Sequence, residues 1–390
     1  MLQMFTIKTY NAISIEGLGR FPKEKYAIDP DAAASDAIML RSFKLHDEPI
    51  NDSVKAVGRA GAGVNNIPVD TLSQRGVVVF NAPGANANAV KELVIAGMLI
   101  ASRNLTEAWQ YTTRLEGSDE EVTKSVEAGK KKFVGFELPG RTLGVVGLGA
   151  IGVQIANAAT ALGMRVVGYD PTITVKSAWQ LSADVVQMDS ADELFKQSDF
   201  VTFHVPLIDA THKLLNAERL ASMKDGSIIL NFARDGIVDD DAVLAAIESG
   251  KIHAYVSDFP SNLLKGHKQV ITFPHLGAST YEAEDNCAVM IADQLMDFLE
   301  NGNIRNSVNF PEIRLARTGH ARIAIANRNM PDMVGQISHA LGQESLNIMR
   351  MANESRGELA YTLIDVDKKP EQSAIDNIQA IDGVLSVRII

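Results

Sequence analysis

TLGVVGLGAIG runs from Thr142 to Gly152. Its apolar start, Leu143 to Val146, reads as a buried strand. Gly147, Gly149 and Gly152 then set out G-x-G-x-x-G, and Ile151 to Leu162 carries apolar residues at helical spacing. A second apolar run, Met164 to Tyr169, ends on Asp170. Strand, glycine turn, helix, strand and acid in this order are the pattern of a dinucleotide site. The first glycine permits the tight turn, the second lets a pyrophosphate approach the backbone, and the third lets helix and strand pack closely. The phosphates would sit over Gly147, Gly149, Ala150, Ile151 and Gly152, where a helix N-terminus favours anions. Asp170 would accept hydrogen bonds from a ribose hydroxyl and repel a 2′-phosphate. Pro171 and Thr172 follow it, with no arginine to offset that repulsion. The expected cofactor is therefore NAD.

Outward from this turn, strand and helix patterns alternate. Strand candidates are Phe200–Val205, Ser227–Asn231, Ala254–Asp258 and Gln269–Phe273 on one side. On the other are Phe5–Tyr10, Ala37–Leu40, Lys55–Val57 and Val77–Phe80. Leu93 to Arg103 reads as an amphipathic helix, and Glu282–Asn301 as another, capped by Asn301-Gly302. This is the pattern of an α/β protein with a doubly wound parallel sheet. Asn306 to Gly319 reads as an extended linker. His320 to Ile390 has the order strand, helix, strand, strand, helix, strand, which is a ferredoxin-like arrangement.

Composition bounds the partners. The chain has 390 residues and a formal net charge of −11, with 46% hydrophobic and 22% charged residues. That is the make-up of an ordinary globular protein of two or three domains. The acidic balance argues against nucleic acid, whose phosphates need clustered Lys and Arg. One cysteine, Cys287, excludes an internal disulfide framework and suits a reducing cytoplasm. The opening MLQMFTIKTYNAI lacks a charged start followed by an apolar core, so no secretory leader is expected. No apolar run approaches the roughly 20 residues that span a membrane. No His/Cys/Asp cluster has metal-ligand spacing.

Further segments carry chemistry. Arg234 follows the apolar strand SIILNFA at its C-terminal end, where ligands bind in open α/β sheets. A guanidinium fork there can hold a carboxylate and stays charged at any working pH. His275 follows VITF and Pro274, and its ordinary pKa of about 6.5 suits proton transfer in both directions. Gly61 and Gly63 let backbone N–H groups face an anion.

VGRAGAGVNNI (Val57–Ile67), the glycine turn, NFARDGIVDDDAVLAAIESGKI from Asn231, SDF (Ser257–Phe259) and PHLGAST (Pro274–Thr280) resemble, in this order, the D-isomer-specific 2-hydroxyacid dehydrogenases. The resemblance covers residues 1 to 310. It implies a Rossmann-type doubly wound sheet inserted in a flavodoxin-like substrate domain, and a homodimer or homotetramer. The NAD-binding domain would span residues 93–284. Residues 1–92 and 285–310 would form the substrate domain, and residues 311–319 a linker. Residues 320–390 resemble an ACT regulatory domain. By the same resemblance Arg234 clamps the substrate carboxylate and His275 is the general acid/base. His204, Val205, Pro206, Phe232, Ala233, Asp258, Gly277 and Ala278 would line the cofactor, with Asp258 receiving the carboxamide.

The runs GRAGAGVNNI and KKFVGFELPGRTLG (Lys131–Gly144), with the ACT-like tail, resemble the members of this family that act on 3-phosphoglycerate, and the resemblance implies that substrate. Oxidation would give 3-phosphohydroxypyruvate. Arg59, Ala60, Gly61 and Asn81 would face this substrate. Arg59, and secondarily Lys132, are candidates for its phosphate, or else solvated cations. In ACT domains resembling the tail, polar side chains bind a serine effector: Asn329 and Asn347 match those places, Asn327 occupies a third, or else the tail serves dimerisation alone. Asn327 stands where the family has histidine, and Asp332 replaces a glycine. The family's histidine-orienting glutamate is also missing: FPSNLLKGHKQVITFP, between Asp258 and His275, contains no carboxylate, and Asn262 falls nearest its place. Two rivals stand beside this reading. One is reduction of another 2-oxo acid such as glyoxylate or hydroxypyruvate, and the other is a non-catalytic NAD(H)-sensing corepressor.

Overall fold

The computed structural model describes residues 4–390; the first three residues of the opening run read for a leader lie outside them. The chain forms two units. One runs up to Ala85 and resumes at Tyr281–Ile390; the other is Asn86–Thr280.

The first unit opens with five strands, β1 (Phe5–Tyr10), β2 (Tyr26–Ile28), β3 (Ala37–Leu40), β4 (Ala56–Arg59) and β5 (Val78–Phe80). They pair in parallel in the order β2-β1-β3-β4-β5. This is the flavodoxin-like order. The runs AIML and VVF are buried throughout, as strands covered on both faces must be. The helix Tyr281–Asn301 covers this sheet. It lies so close to β4 that a Cβ on Gly58 would collide with Ile291 Cγ2.

The second unit carries β6 (Thr142–Val146), β7 (Arg165–Tyr169), β8 (Val186–Gln187), β9 (Phe200–Phe203), β10 (Ser227–Asn231), β11 (Ile252–Ser257) and β12 (Val270–Thr272). All pairings are parallel, in the order β12-β11-β10-β9-β6-β7-β8. Counted from β6, this is the doubly wound order, and it reverses between β6 and β9. The helix expected from Leu93 begins at Ala87 and runs to Ser102, so the unit starts at Asn86 and ends at Thr280, not at 93 and 284. Nothing in ANAVKEL breaks a helix, and Val90, Val94, Met98 and Ala101 place one apolar face under the sheet. Both tryptophans lie on helices of this unit. Trp109 is 67% exposed on Leu105–Thr113, and Trp179 is 86% exposed on Val175–Gln180. No described helix is long and apolar enough to cross a membrane.

The C-terminal part of the first unit contains β13 (Ala321–Arg328), β14 (Ile348–Arg356), β15 (Leu359–Val366) and β16 (Val384–Ile389). They form an antiparallel sheet in the order β14-β15-β13-β16, with helices Met333–Gln343 and Gln372–Gln379, which is a ferredoxin-like topology. Strand alternation divides its two faces. Ile323, Ile325 and Ile364 pack under the helices. Ala324, Ala326, Tyr361 and Leu363 join the core of Phe298, Ile304 and Phe310. The segment read as a linker is extended, but it is core material: Phe310 is 0%, Ile313 4% and Leu315 7% exposed.

Arg322 fixes that junction. Its Nε and Nη2 donate to the two carboxylate oxygens of Asp365 at 2.6 and 2.9 Å. Its Nη1 donates to the carbonyls of Asn301 and Leu315 at 2.9 and 2.7 Å. Both charged side chains are 0% exposed. Burial alone would raise the Asp365 pKa, but hydrogen bonds from Arg322 and Thr318 outweigh it and hold the carboxyl below 3.8. Arg322→Met leaves a buried carboxylate unpaired and should cost about 3–5 kcal/mol in denaturant unfolding. A depressed folded pKa gives a contribution that is complete above the unfolded carboxylate value. It should be lost as pH falls through the folded value, and that loss should be absent in Arg322→Met. Equal stabilities at neutral pH would remove the pair from this role.

Candidate active site

At the end of β6 the chain turns at Gly147, with φ +90°. A Cβ there would press on the His204 carbonyl at the end of β9. Gly149 caps the helix Ala150–Ala161, and nothing lies within 4 Å of where its Cβ would stand. A Cβ on Gly152 would collide with the Gly147 carbonyl. One glycine thus makes the turn, one leaves open space over a helix N-terminus, and one permits close packing. Asp170, at the end of β7, braces the same turn. Its Oδ2 accepts the Leu148 N–H and its Oδ1 the Thr172 N–H, both at 2.8 Å.

The other strand ends complete this edge of the sheet. After β9, the His204 Nε2 pairs with the Thr202 hydroxyl at 2.8 Å, while its Nδ1 is buried without a partner. Burial pushes the His204 pKa down to about 3, so the ring is a neutral wall. Val205 Cγ1 lies beside Gly147, and Pro206 follows it.

After β10, Asn231 shapes the turn that carries Arg234. Its Nδ2 donates to the Arg234 carbonyl at 2.9 Å, and its Oδ1 accepts the Ala233 N–H at 3.2 Å. Phe232 stacks on Phe273 at 6.3 Å, and the Arg234 side chain is left exposed. Asn231 was given no role from sequence; its signal is an amide at the last position of an apolar strand, just before a turn.

After β11 comes Asp258, 1% exposed. Its two carboxylate oxygens accept the N–H groups of Leu276 and Gly277 at 2.7 and 2.8 Å, and its carbonyl accepts that of His275 at 3.1 Å. Burial raises its pKa and these backbone donors oppose the rise. His275 is held with φ +57°, a conformation rare for a side-chain-bearing residue. Its imidazole meets the Phe259 ring edge to face, with centroids 5.2 Å apart and planes at 65°. No hydrogen bond reaches that imidazole among the described residues, and Asn262 is exposed. A Cβ on Gly277 would press on Asp258 Oδ2 at 3.2 Å; Ala278 follows it, exposed.

The remaining candidates fare differently. In the first unit, Arg59, Ala60, Gly61 and Asn81 gather where β4 and β5 end. Arg59 is the brace of its loop: Nε donates to the Arg41 carbonyl at 3.0 Å and Nη1 to that of Gly63. Asn81 Nδ2 donates to the Ala62 carbonyl at 2.6 Å. In the second unit, Lys132 lies by the Tyr111 ring and lines a cavity with His253, Lys268 and Gln269. His253 and Gln269 are at the starts of β11 and β12, so within one chain Lys132 is on the edge opposite the glycine turn.

The three asparagines of the tail do not meet within one chain. Asn327 is 1% exposed and its Nδ2 donates to the Arg328 carbonyl. Asn329 Nδ2 donates to the Gly357 carbonyl. Asn347 precedes β14, whose first residue pairs with Val366, which in turn faces Ala321. It is therefore a whole strand, about 20–25 Å, from the other two. Among the described residues no group of His, Cys, Asp or Glu could hold a metal ion.

The residues at the glycine turn fit a dinucleotide: open space over Gly149, a helix N-terminus, and an acid after β7. Gly152→Ala should abolish NADH binding in a fluorescence titration, because the turn cannot close with a methyl group against the Gly147 carbonyl. Wild-type affinity in that variant would move the site elsewhere.

Comparison with known proteins agrees with this geometry. The model of the D-isomer specific 2-hydroxyacid dehydrogenase NAD binding domain matches residues 95–277. The D-3-phosphoglycerate dehydrogenase of Haemophilus influenzae is 30% identical over 347 residues, 86% of this chain and 81% of that protein. That of Methanocaldococcus jannaschii is 36% identical over 344 residues, 86% of this chain and 62% of its own length. That of Archaeoglobus fulgidus is 39% identical over 291 residues, 71% of this chain and 52% of its own length. The chain thus spans roughly half to three-fifths of the two archaeal relatives. Among solved structures, the holo form of Rhodotorula graminis D-mandelate dehydrogenase aligns with a TM-score of 0.68 at 24% identity, over 81% of this chain and 100% of that one. The NAD+-bound 3-phosphoglycerate dehydrogenase of Entamoeba histolytica aligns with a TM-score of 0.59 at 24% identity, over 78% and 99%. These two share the fold; together with the sequence relatives and the matched domain, they make this chain a member of the D-isomer-specific 2-hydroxyacid dehydrogenase family.

Proposed function

We propose that the protein is an NAD-dependent dehydrogenase that oxidises 3-phosphoglycerate to 3-phosphohydroxypyruvate, the first step toward serine. The observation that carries the reading is the edge where Arg234, His275 and the glycine turn all follow the C-terminal ends of neighbouring parallel strands. The relatives named D-3-phosphoglycerate dehydrogenase supply the substrate. Bound NAD supplies the hydride acceptor. Arg234, exposed beyond β10, clamps the substrate carboxylate with its fork and polarises C2. His275 takes the 2-hydroxyl proton as the hydride leaves C2, and the carbonyl of the product forms. Asp258 keeps the His275 loop in place, and neutral His204 walls the cofactor without adding charge. Asp170 accepts the adenosine ribose hydroxyl.

One observation favours a second reading, a 2-hydroxy acid without a phosphate. Arg59 uses Nε and Nη1 on backbone carbonyls, and Lys132 faces the other edge. NADH formation against a panel of 2-hydroxy acids separates the two. We further propose a cytoplasmic homodimer or homotetramer, with residues 320–390 as an ACT-type regulatory domain. Addition of serine to the same assay tests that regulation.

Turnover should favour NAD over NADP, and equal use of NADP would refute the role of Asp170. Arg234→Ala should almost abolish turnover while NADH binding survives, and Arg234→Lys should not rescue it. His275→Ala should lower the rate by about 10² to 10⁴. A loss of less than about tenfold would take the proton from His275.

A further inference from the structure

We infer that the seam between the C-terminal sheet and the first sheet holds a second binding site, for a small dianion that regulates the substrate loops. A cavity of about 480 Å³ lies there, within the range of small-molecule sites. Lys55, Arg75 and Arg388 line it, with Asp52 the one carboxylate among its lining residues. The lining residues carry two positive charges in excess, or one once Asp36, the ion-pair partner of Lys55, is included, on a chain whose net charge is −11.

The cations are held in place by both sheets. Arg388, on β16, stacks its guanidinium over the Phe298 ring at 4.0 Å and donates through Nη2 to the Phe298 carbonyl and the Tyr361 hydroxyl. Arg75 donates to the carbonyls of Ile50 and Asn51 at 3.1 and 3.0 Å. Its partner Asp52 has a fully solvated side chain, so that pair contributes little and leaves the charge available. Lys55 is already paired through its ammonium with Asp36, so a dianion there would share that charge. Ser386 adds a hydroxyl, donating to the Gly76 carbonyl. A neighbouring cavity of about 380 Å³ shares Lys55 and Arg388 and adds Lys25 and Arg317, with Glu300 opposing them. Further cations thus lie along the seam, with Lys25 ion-paired to Glu300.

Position gives the site its consequence. Lys55 precedes β4 and Arg75 to Val77 precede β5. Each strand runs from the cavity to a loop assigned to the substrate: β4 ends at Arg59, before Ala60 and Gly61, and β5 leads to Asn81. The strands are four and three residues long, so about 10–15 Å of rigid backbone separates the two sites. A dianion binding Arg388 on one sheet and Lys55 and Arg75 on the other favours one setting of β4 and β5. Its effect on substrate affinity rests on the dehydrogenase reading above; its binding does not.

Titration calorimetry of the full chain with inorganic phosphate and, separately, with malonate tests the site. Heat from either ligand that persists in Arg234→Ala and weakens about tenfold or more in Arg75→Gln supports it, since a charged hydrogen bond is worth roughly that factor. Phosphate alone would mark a phosphoryl ligand, and malonate alone a dicarboxylate. Lys55→Met provides a second variant away from the Phe298 packing. No heat from either ligand, heat unchanged in both seam variants, or heat lost in Arg234→Ala would overturn the proposal. In the turnover assay, bound dianion should change KM with little change in kcat, and Arg75→Gln should erase that response. Failure of turnover with the calorimetric pattern intact would count against the substrate assignment and leave the site standing.

Discussion

A buried carboxylate costs free energy unless donors surround it. Asp258 meets that condition by gathering three backbone N–H groups in a row, two on its carboxylate and one on its carbonyl. Those donors belong to His275, Leu276 and Gly277, so satisfying the acid also fixes the loop that carries the imidazole. The left-handed backbone at His275 is sustained by this over-determination. The rest of this sheet edge is built in the same way. Asn231 closes the Arg234 turn by donating to the Arg234 carbonyl, and Asp170 closes the glycine turn by accepting the Leu148 N–H. Side chains set the backbone, and the exposed groups are thereby aimed.

The C-terminal sheet is joined to its unit by a different device. Arg322 and Asp365 neutralise each other in the core, and the guanidinium also takes two carbonyls that would otherwise be orphaned. The apolar face of Ala324, Ala326, Tyr361 and Leu363 then closes on Phe298 and Phe310. A chain that only tethered this sheet would leave that face wet. Here the connection is a packed layer, in one core with Ala56 of β4 and Val78 and Phe80 of β5.

Much of this was legible in residues. GLGAIG with Asp170 after it specifies a turn, a helix and an acid whose geometry allows little else. The alternation of the tail gives its topology. What the chain text cannot show is where a polar group spends its donors. Arg59 reads as a free cation until its carbonyl partners are seen. Lys132 is near the motifs in sequence, but parallel strands put it on the far edge. Antiparallel register separates Asn347 from Asn327 and Asn329. The strands β2 and β8 have three and two residues, too few for any periodicity. The packed connection had a signal that was readable: Phe310, Ile313 and Leu315 are apolar residues among polar ones, which a free spacer does not need.

The two tryptophans sit on the Asn86–Thr280 unit, both largely in water. Water already quenches and reddens an indole in that setting, so denaturation changes its surroundings very little. The other unit contains none. Intrinsic tryptophan emission will therefore report little of the unfolding of its own unit and nothing directly of the sheet that carries Arg322. The buried rings of Tyr26 and Tyr361, with near-ultraviolet dichroism, are the optical handles on the unit that contains that sheet.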